Sequence, residues 1–297
     1  MHAFFYTTYN MNRKFIGYIA GSIAAACYGL NPLFALPLYE QGIDTISVLF
    51  FRYILALPLL AIPMVIQHIS FRLTTKEALQ LLLLGILMAT SSLLLYEAYK
   101  YMDAGIASTI LFLYPIITAL LMALVFHERI HWIVWACLLL ATIGVFILCD
   151  MNGNTHITNT GIILVILSTI MYATYLVFIN KGHITRMPPI KTTFYALLTG
   201  TILLTTILLI QGHINTPQAT YWGCSIASAL FSTALSLSLT TVAIQRIGAT
   251  QTAILGAMEP ITALLIGVTV FHEQLTLRAI IGIIIIIAAV TLSIAKK

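Results

Sequence analysis

Pro115-Ile116 followed by Val125-Phe126-His127-Glu128 recurs 145 positions later as Pro260-Ile261 followed by Val270-Phe271-His272-Glu273. The same offset joins Ala98 to Ala243, Ala104 to Ala249 and Leu120 to Leu265. A weaker match, one residue out of that register, joins Tyr28 and Phe34 to Tyr172 and Phe178. Self-similarity at a fixed offset of about half the chain marks a duplicated unit. Shared apolar composition does not readily place a proline and a Val-Phe-His-Glu tetrad at the same spacing twice.

The composition identifies the solvent around each copy. Of the 297 residues, 60% are hydrophobic and 8% charged, with a mean hydropathy of +1.02. A soluble domain carries about 25% charged residues to cover its surface. This chain has too few, so its solvent is lipid. The formal net charge of +5 sits in short breaks between apolar runs, with no basic stripe along any helix, so no nucleic-acid partner is expected. Cys27, Cys137, Cys149 and Cys224 lie in or beside apolar segments without C-x-x-C spacing. They read as small buried residues, with neither a disulfide nor a metal framework.

A spanning helix needs about 20 mostly apolar residues. Such runs fall at 15–37, 46–67, 78–100, 104–126 and 131–149, then at 160–181, 190–211, 221–244, 249–271 and 277–295. Residues 1–14 form an N-terminal tail. Met11-Asn12-Arg13-Lys14 ahead of a run ending Ala24-Ala25-Ala26 imitates a signal peptide. Further membrane segments follow Cys27, so an uncleaved first span is expected, and Met11 offers an alternative start. With both termini cytoplasmic, eleven Lys and Arg residues lie inside; Lys100 and Arg278 lie outside, and Arg52 lies within a span. The positive-inside rule selects that orientation. Trp132, Trp135 and Trp222 fall at span starts, where aromatic side chains favour the interface.

Repeat 1 (residues 15–152) and repeat 2 (residues 153–297) hold five spans each. Five is odd, so the second copy inserts upside down. The expected fold is an all-α integral membrane bundle of ten transmembrane helices, arranged as two inverted five-helix repeats. Inverted repeats characterise secondary transporters whose site lies near the midplane between the halves.

Several short motifs now carry a resemblance: Gly29-Leu30-Asn31, Phe51-Arg52-Tyr53, Ala98-Tyr99, Pro115 with His127-Glu128, and Glu259-Pro260 with His272-Glu273. With these, the chain resembles ten-helix members of the drug/metabolite transporter superfamily, of the EamA type, over essentially all residues after 15. The resemblance implies transport of a small-molecule substrate across the cell (inner) membrane, commonly driven by protons. It favours export, and it identifies the family far better than the substrate. The chain contains no G-x-x-x-x-G-K-[ST] phosphate loop, so transport without ATP or any other cofactor is expected.

Pro115 and Pro260 lie mid-span, where each removes a backbone N–H and loosens the carbonyl four residues back, at Leu111 and Gly256. Each is either a packing kink or a hinge. Glu259 lies ten residues, about 15 Å, into span 9. An acidic side chain at that depth costs about 2.5–3.5 kcal/mol, so it faces a partner or a cavity. It is either a structural staple or a coupling site. Arg52 and Glu97 occupy the outer half of neighbouring spans, as a salt bridge or as a substrate clamp. Tyr28 and Asn31 of span 1, with Tyr172, Tyr175 and Asn180 of span 6, supply hydrogen-bonding groups for a cavity wall. Ser225, Ser228, Ser232, Ser236 and Thr240 read as close-packing residues of span 8. Arg52 together with acidic groups suits a zwitterionic, amino-acid-like solute.

Two other functional classes stand beside transport. His127-Glu128-Arg129-Ile130-His131 matches H-E-x-x-H, the zinc-hydrolase signature of two His on one helical face. It falls at a break between spans, and the repeat copy ends in Thr276, so no metal ligands are assigned. A non-transporting receptor or scaffold is the third class.

Overall fold

The computed structural model describes residues 2–98, 101–102, 107, 110–148, 158–270 and 276–295. Among these, no strand occurs. Seven helical segments are long and apolar enough to cross a membrane, and three shorter apolar helices complete the set. The fold is all-α, with ten apolar spans in two inverted five-helix repeats.

The helices are α1 (His2–Gly29), α2 (Asn31–Glu40), α3 (Thr45–Ile66), α4 (Thr75–Ala98), α5 (Tyr114–Leu124) and α6 (Trp132–Leu148). They continue as α7 (Asn159–Asn180), α8 (Pro189–Gln211), α9 (Trp222–Ala227), a π-wound stretch (Ser228–Leu235) and α10 (Ser236–Ile247). Last come α11 (Ala249–Leu255), α12 (Met258–Thr269) and α13 (Leu277–Ala295).

Local chemistry sets several ends. Asp44 caps α3, accepting from the Ser47 N–H at 3.1 Å and the Ser47 hydroxyl at 2.7 Å. Thr74 and Glu77 form a reciprocal capping box at the start of α4, Thr74 N to Glu77 Oε2 at 2.8 Å and Glu77 N to Thr74 Oγ1 at 3.4 Å. Thr158 caps α7 through the Gly161 N–H at 3.2 Å.

Helix pairing follows the inversion. Span 1 packs on span 8 (α1 on α10), and its repeat-exchanged counterpart, span 3 on span 6, is also packed (α4 on α7). Likewise α4 meets α8 while α3 meets the π-wound stretch, and α5 meets α7 while α1 meets α12. Spans 2 and 7 and spans 5 and 10 pair with their own counterparts, as α3 with α8 and α6 with α13. The halves therefore interleave around one core. Small and hydroxyl residues allow the close approach. Ser91 donates to the Ser168 carbonyl at 3.0 Å, and Ser168 returns a bond to the Ser91 carbonyl at 2.7 Å. Outward, Ile62, Leu79, Leu124 and Ile210 are exposed, as lipid-facing side chains should be. Cys27, Cys137 and Cys224 are free thiols; Cys149 lies outside the described residues.

The spans of the sequence reading correspond to these segments, but three are discontinuous. Span 1 breaks at Leu30, span 4 at Phe112-Leu113, and span 9 at Gly256-Ala257. Pro115 and Pro260 therefore sit in the first turn of a half-helix instead of bending a continuous one. In that turn a missing N–H removes no intrahelical bond, which is why proline is favoured there.

Candidate functional site

The three breaks converge. A Cβ on Gly29, beside the first break, would run into the Glu259 carbonyl and the Thr262 side chain. A Cβ on Gly256, at the third, would overlap the hydroxyl of Tyr114, which opens α5 after the second. Both positions need glycine because another backbone or side chain occupies the Cβ space. The Tyr114 side chain and the Glu259 carboxyl line the same small cavity at this junction. Tyr114 and Glu259 precede the repeated prolines and are related by the 145-residue offset, so equivalent positions of the two copies meet where the copies face each other. Glu259 occupies the first turn of α12, where the helix dipole favours negative charge.

Aromatic groups extend from this pair in both directions. The Tyr172 ring meets Tyr114 edge-on with centroids 4.9 Å apart, and Tyr175 stacks on Tyr172 at 6.0 Å. Tyr28 precedes Gly29, which packs against the Glu259 carbonyl, and its ring sits 5.3 Å beneath the Arg52 guanidinium. Tyr28 thus stands between the acidic and the basic member of the site.

Arg52 is 3% exposed, so its charge requires an inventory of partners. Its Nε donates to Thr233 Oγ1, and its Nη2 donates to the Ser232 carbonyl at 2.9 Å. Both acceptors lie in the π-wound stretch of span 8, where Thr233 Oγ1 also donates to the Ser228 carbonyl at 3.1 Å. Such wider turns recur at functional sites because they present carbonyls sideways. Tyr53, fully buried, contacts Ser92 Oγ at 3.2 Å beside this cluster.

The sequence-derived candidates therefore divide. Glu259, Tyr28, Arg52, Tyr172 and Tyr175 come together. Asn31 opens α2 at the first break, and its Oδ1 is buried with no hydrogen-bond partner among the described residues. Glu97, half-buried near the end of α4, is not among the described partners of Arg52; the expected pairing gives way to Thr233, Ser232 and Tyr28. Asn180 lies apart from the cluster. It ends α7 and donates to the Met122 sulfur at 3.9 Å. From Asn159, α7 runs about 30 Å before reaching it, which puts Asn180 at a membrane face and not at mid-depth. The sequence reading missed Tyr114, Tyr53 and Thr233. Tyr114 had a signal: it precedes Pro115 as Glu259 precedes Pro260.

A cavity of about 10 Å³, room for one water, adjoins Glu259 and Tyr114. Gly21, Ala25, Thr240 and Thr252 also line it. The space beside the carboxyl therefore has room for no more than a water. Beyond the break of span 1, Phe34 stacks on Phe231 at 6.2 Å, and Phe51 meets Trp222 edge-on at 5.2 Å.

Residues 127–131 are not helical, and His127 has a positive φ of 52°. The two His of the H-E-x-x-H match thus share no helical face, and Glu128 is paired with Lys181 at 2.6 Å. His272-Glu273 lies outside the described residues.

Comparison with known proteins gives three results. Residues 15–149 and 159–295 each match the EamA-like transporter family. An uncharacterized transporter of Synechocystis sp. is 32% identical over 212 residues, 70% of this chain and 64% of that protein. This alignment therefore spans just under two thirds of the relative's length. An uncharacterized transporter of Archaeoglobus fulgidus is 24% identical over 262 residues, 86% of this chain and 90% of the relative. A protein of known crystal structure superposes with a TM-score of 0.81 at 14% identity, over 96% of this chain and 99% of that one, which speaks for the fold alone.

Proposed function

The chain belongs to the EamA-like transporter family, and from that premise we propose that it is a secondary active transporter exporting a small zwitterionic, amino-acid-like solute in exchange for protons. The convergence of three helix breaks on one carboxyl carries this reading. Transporters build midplane sites from discontinuous helices, whose freed backbone groups and half-helix ends meet the solute. An intramembrane carboxyl beside such a site marks an ion or proton path by default.

In this mechanism Arg52 holds the solute carboxylate and Glu259 its ammonium, with Tyr28 between them. The unpartnered Asn31 Oδ1 offers a further acceptor. Glu259 can pair with the ammonium or carry a proton, but not both. Solute leaving outward is therefore replaced by a proton that is released inward, and the exchange follows from one shared carboxylate. Repeat 1 (15–152) and repeat 2 (153–297) rock about Pro115 and Pro260, where the half-helices begin, and open the core to each side in turn. Cells with and without the protein should differ in the amino-acid-like solutes of their medium, and the enriched compound should exchange across liposomes containing the protein alone. Binding of that compound without flux would favour the receptor or scaffold class instead.

The proposed location is the cell (inner) membrane, with both termini cytoplasmic. Reporters fused after Lys191 and after Lys297 should read cytoplasmic, and one near Asn154 external. Finding Asn154 and Lys297 on one side would contradict the orientation and the exchange direction built on it.

A further inference from the structure

A second cavity lies remote from the site. A lateral groove of about 670 Å³ lies between α4 and the end of α7, closed at one edge by Phe126. Its walls are Leu79, Leu82, Leu83, Ile86, Phe126 and Phe178, and its mouth carries Lys76, Lys181 and His183. We propose that this groove binds one anionic phospholipid, with an acyl chain along the leucine wall and the phosphate at the three basic groups.

The dimensions fit a leaflet. Lys76 and Ile86 are ten helical residues apart, about 15 Å, half the hydrocarbon thickness of about 30 Å. Charge selects the headgroup. Lys181 is fixed by Glu128 at 2.6 Å and lies 5.3 Å over the Phe126 ring, while Glu77 is engaged by the Thr74 N–H and hydroxyl. Lys76 has no acidic partner among the described residues. Although Glu77 keeps its negative charge, Lys191, held against the Arg72 carbonyl at 2.6 Å, together with Arg72 and Arg186 gives this end of the molecule a positive excess. Basic pockets between spans on the cytoplasmic side attract anionic headgroups, and the proposed orientation puts this mouth there, near Arg72, Arg186 and Lys191.

The site is also built in advance. Gln80 donates to the carbonyls of Phe178 at 2.9 Å and Lys181 at 2.7 Å, and accepts from the His183 N–H at 2.8 Å. These bonds hold the turn after α7 against α4. Gly182 has φ +100°, and a Cβ there would meet Gln80 Nε2 at 2.6 Å, so this turn admits only glycine without displacement. A soluble partner would have little use for a rigid basic turn above a wall of lipid-facing leucines.

The test reconstitutes the protein in phosphatidylcholine vesicles carrying a trace of photoactivatable phosphatidylglycerol, or of photoactivatable phosphatidylcholine with the same chains. The phosphatidylglycerol should label the Leu79–Ile86 segment preferentially. Lys76→Gln with Lys181→Gln should reduce that preference about fivefold per lysine. Leu83→Trp, which fills the groove and leaves the charges and the Glu128 pair intact, should lower labelling by both lipids. Equal labelling of the wild type by the two lipids, or an unchanged preference in the lysine variant, overturns the proposal. Loss of labelling to inorganic phosphate alone would assign the mouth to a free anion and overturn it as well.

Discussion

Glu259→Gln should insert and fold like the wild type yet lose the response of solute accumulation to an imposed pH difference. Glutamine keeps the shape of glutamate and an acceptor oxygen beside Tyr114, so the junction of α5 and α12 keeps its packing and stability changes by about 1 kcal/mol or less. The amide cannot exchange a proton. Accumulation driven by a pH gradient in liposomes should therefore fall to that of protein-free liposomes, while solute exchange at equal pH continues at a reduced rate. If Glu259 only staples two half-helices, the glutamine variant will follow the gradient as the wild type does. Tyr114→Phe separates the two roles further, since it removes the neighbouring hydroxyl and keeps the titratable group.

Arg52→Lys should weaken apparent affinity for a carboxylate-bearing solute by about 10- to 100-fold, with a smaller effect on maximal flux. Hydrogen bonds to a charged partner contribute about 1.5–3 kcal/mol, and about 1.4 kcal/mol is one factor of ten. Lysine keeps the charge but not the planar fork that reaches Thr233 and the Ser232 carbonyl together. Arg52→Met removes both, leaving the Ser232 carbonyl without this donor. Initial-rate measurements across solute concentration, beside thermal unfolding, divide the outcomes. A fall in melting temperature with unchanged affinity would make Arg52 a structural tie between spans 2 and 8.

Hydropathy and the 145-residue repeat made the spans, the duplication and the inversion legible. Those features depend on gross polarity and on chain parity, which local packing does not alter. The breaks were harder to read. Proline inside an apolar run signals either a kinked continuous helix or the start of a new one. The choice at Pro115 and Pro260 depends on what fills the gap beside Gly29 and Gly256, which only the assembled bundle decides. The π-wound stretch of span 8 has no sequence signature, because Ser232 and Thr233 look like ordinary close-packing residues until Arg52 of span 2 is placed against them. Asn180 misled because a polar group counted to span 6 by sequence turns out to be the last residue of a continuous 22-residue helix, at its end and not at mid-depth. The inward placement of Glu259 beside a cavity was legible from depth, since a lipid-facing carboxyl there costs about 2.5–3.5 kcal/mol.

Alternating access around Glu259 is the central claim, and reciprocal thiol labelling tests it most directly. In a background lacking Cys27, Cys137, Cys149 and Cys224, single cysteines replace Thr252, beside the Glu259 cavity, and Phe34, in the aromatic packing beyond the break of span 1. A membrane-impermeant maleimide is applied from either face under opposed pH gradients. The account predicts that Thr252→Cys reacts only from the cytoplasmic face and Phe34→Cys only from the outer face, and that a gradient raising one reactivity lowers the other. Both positions rising together, or either one reacting from both faces, would contradict it.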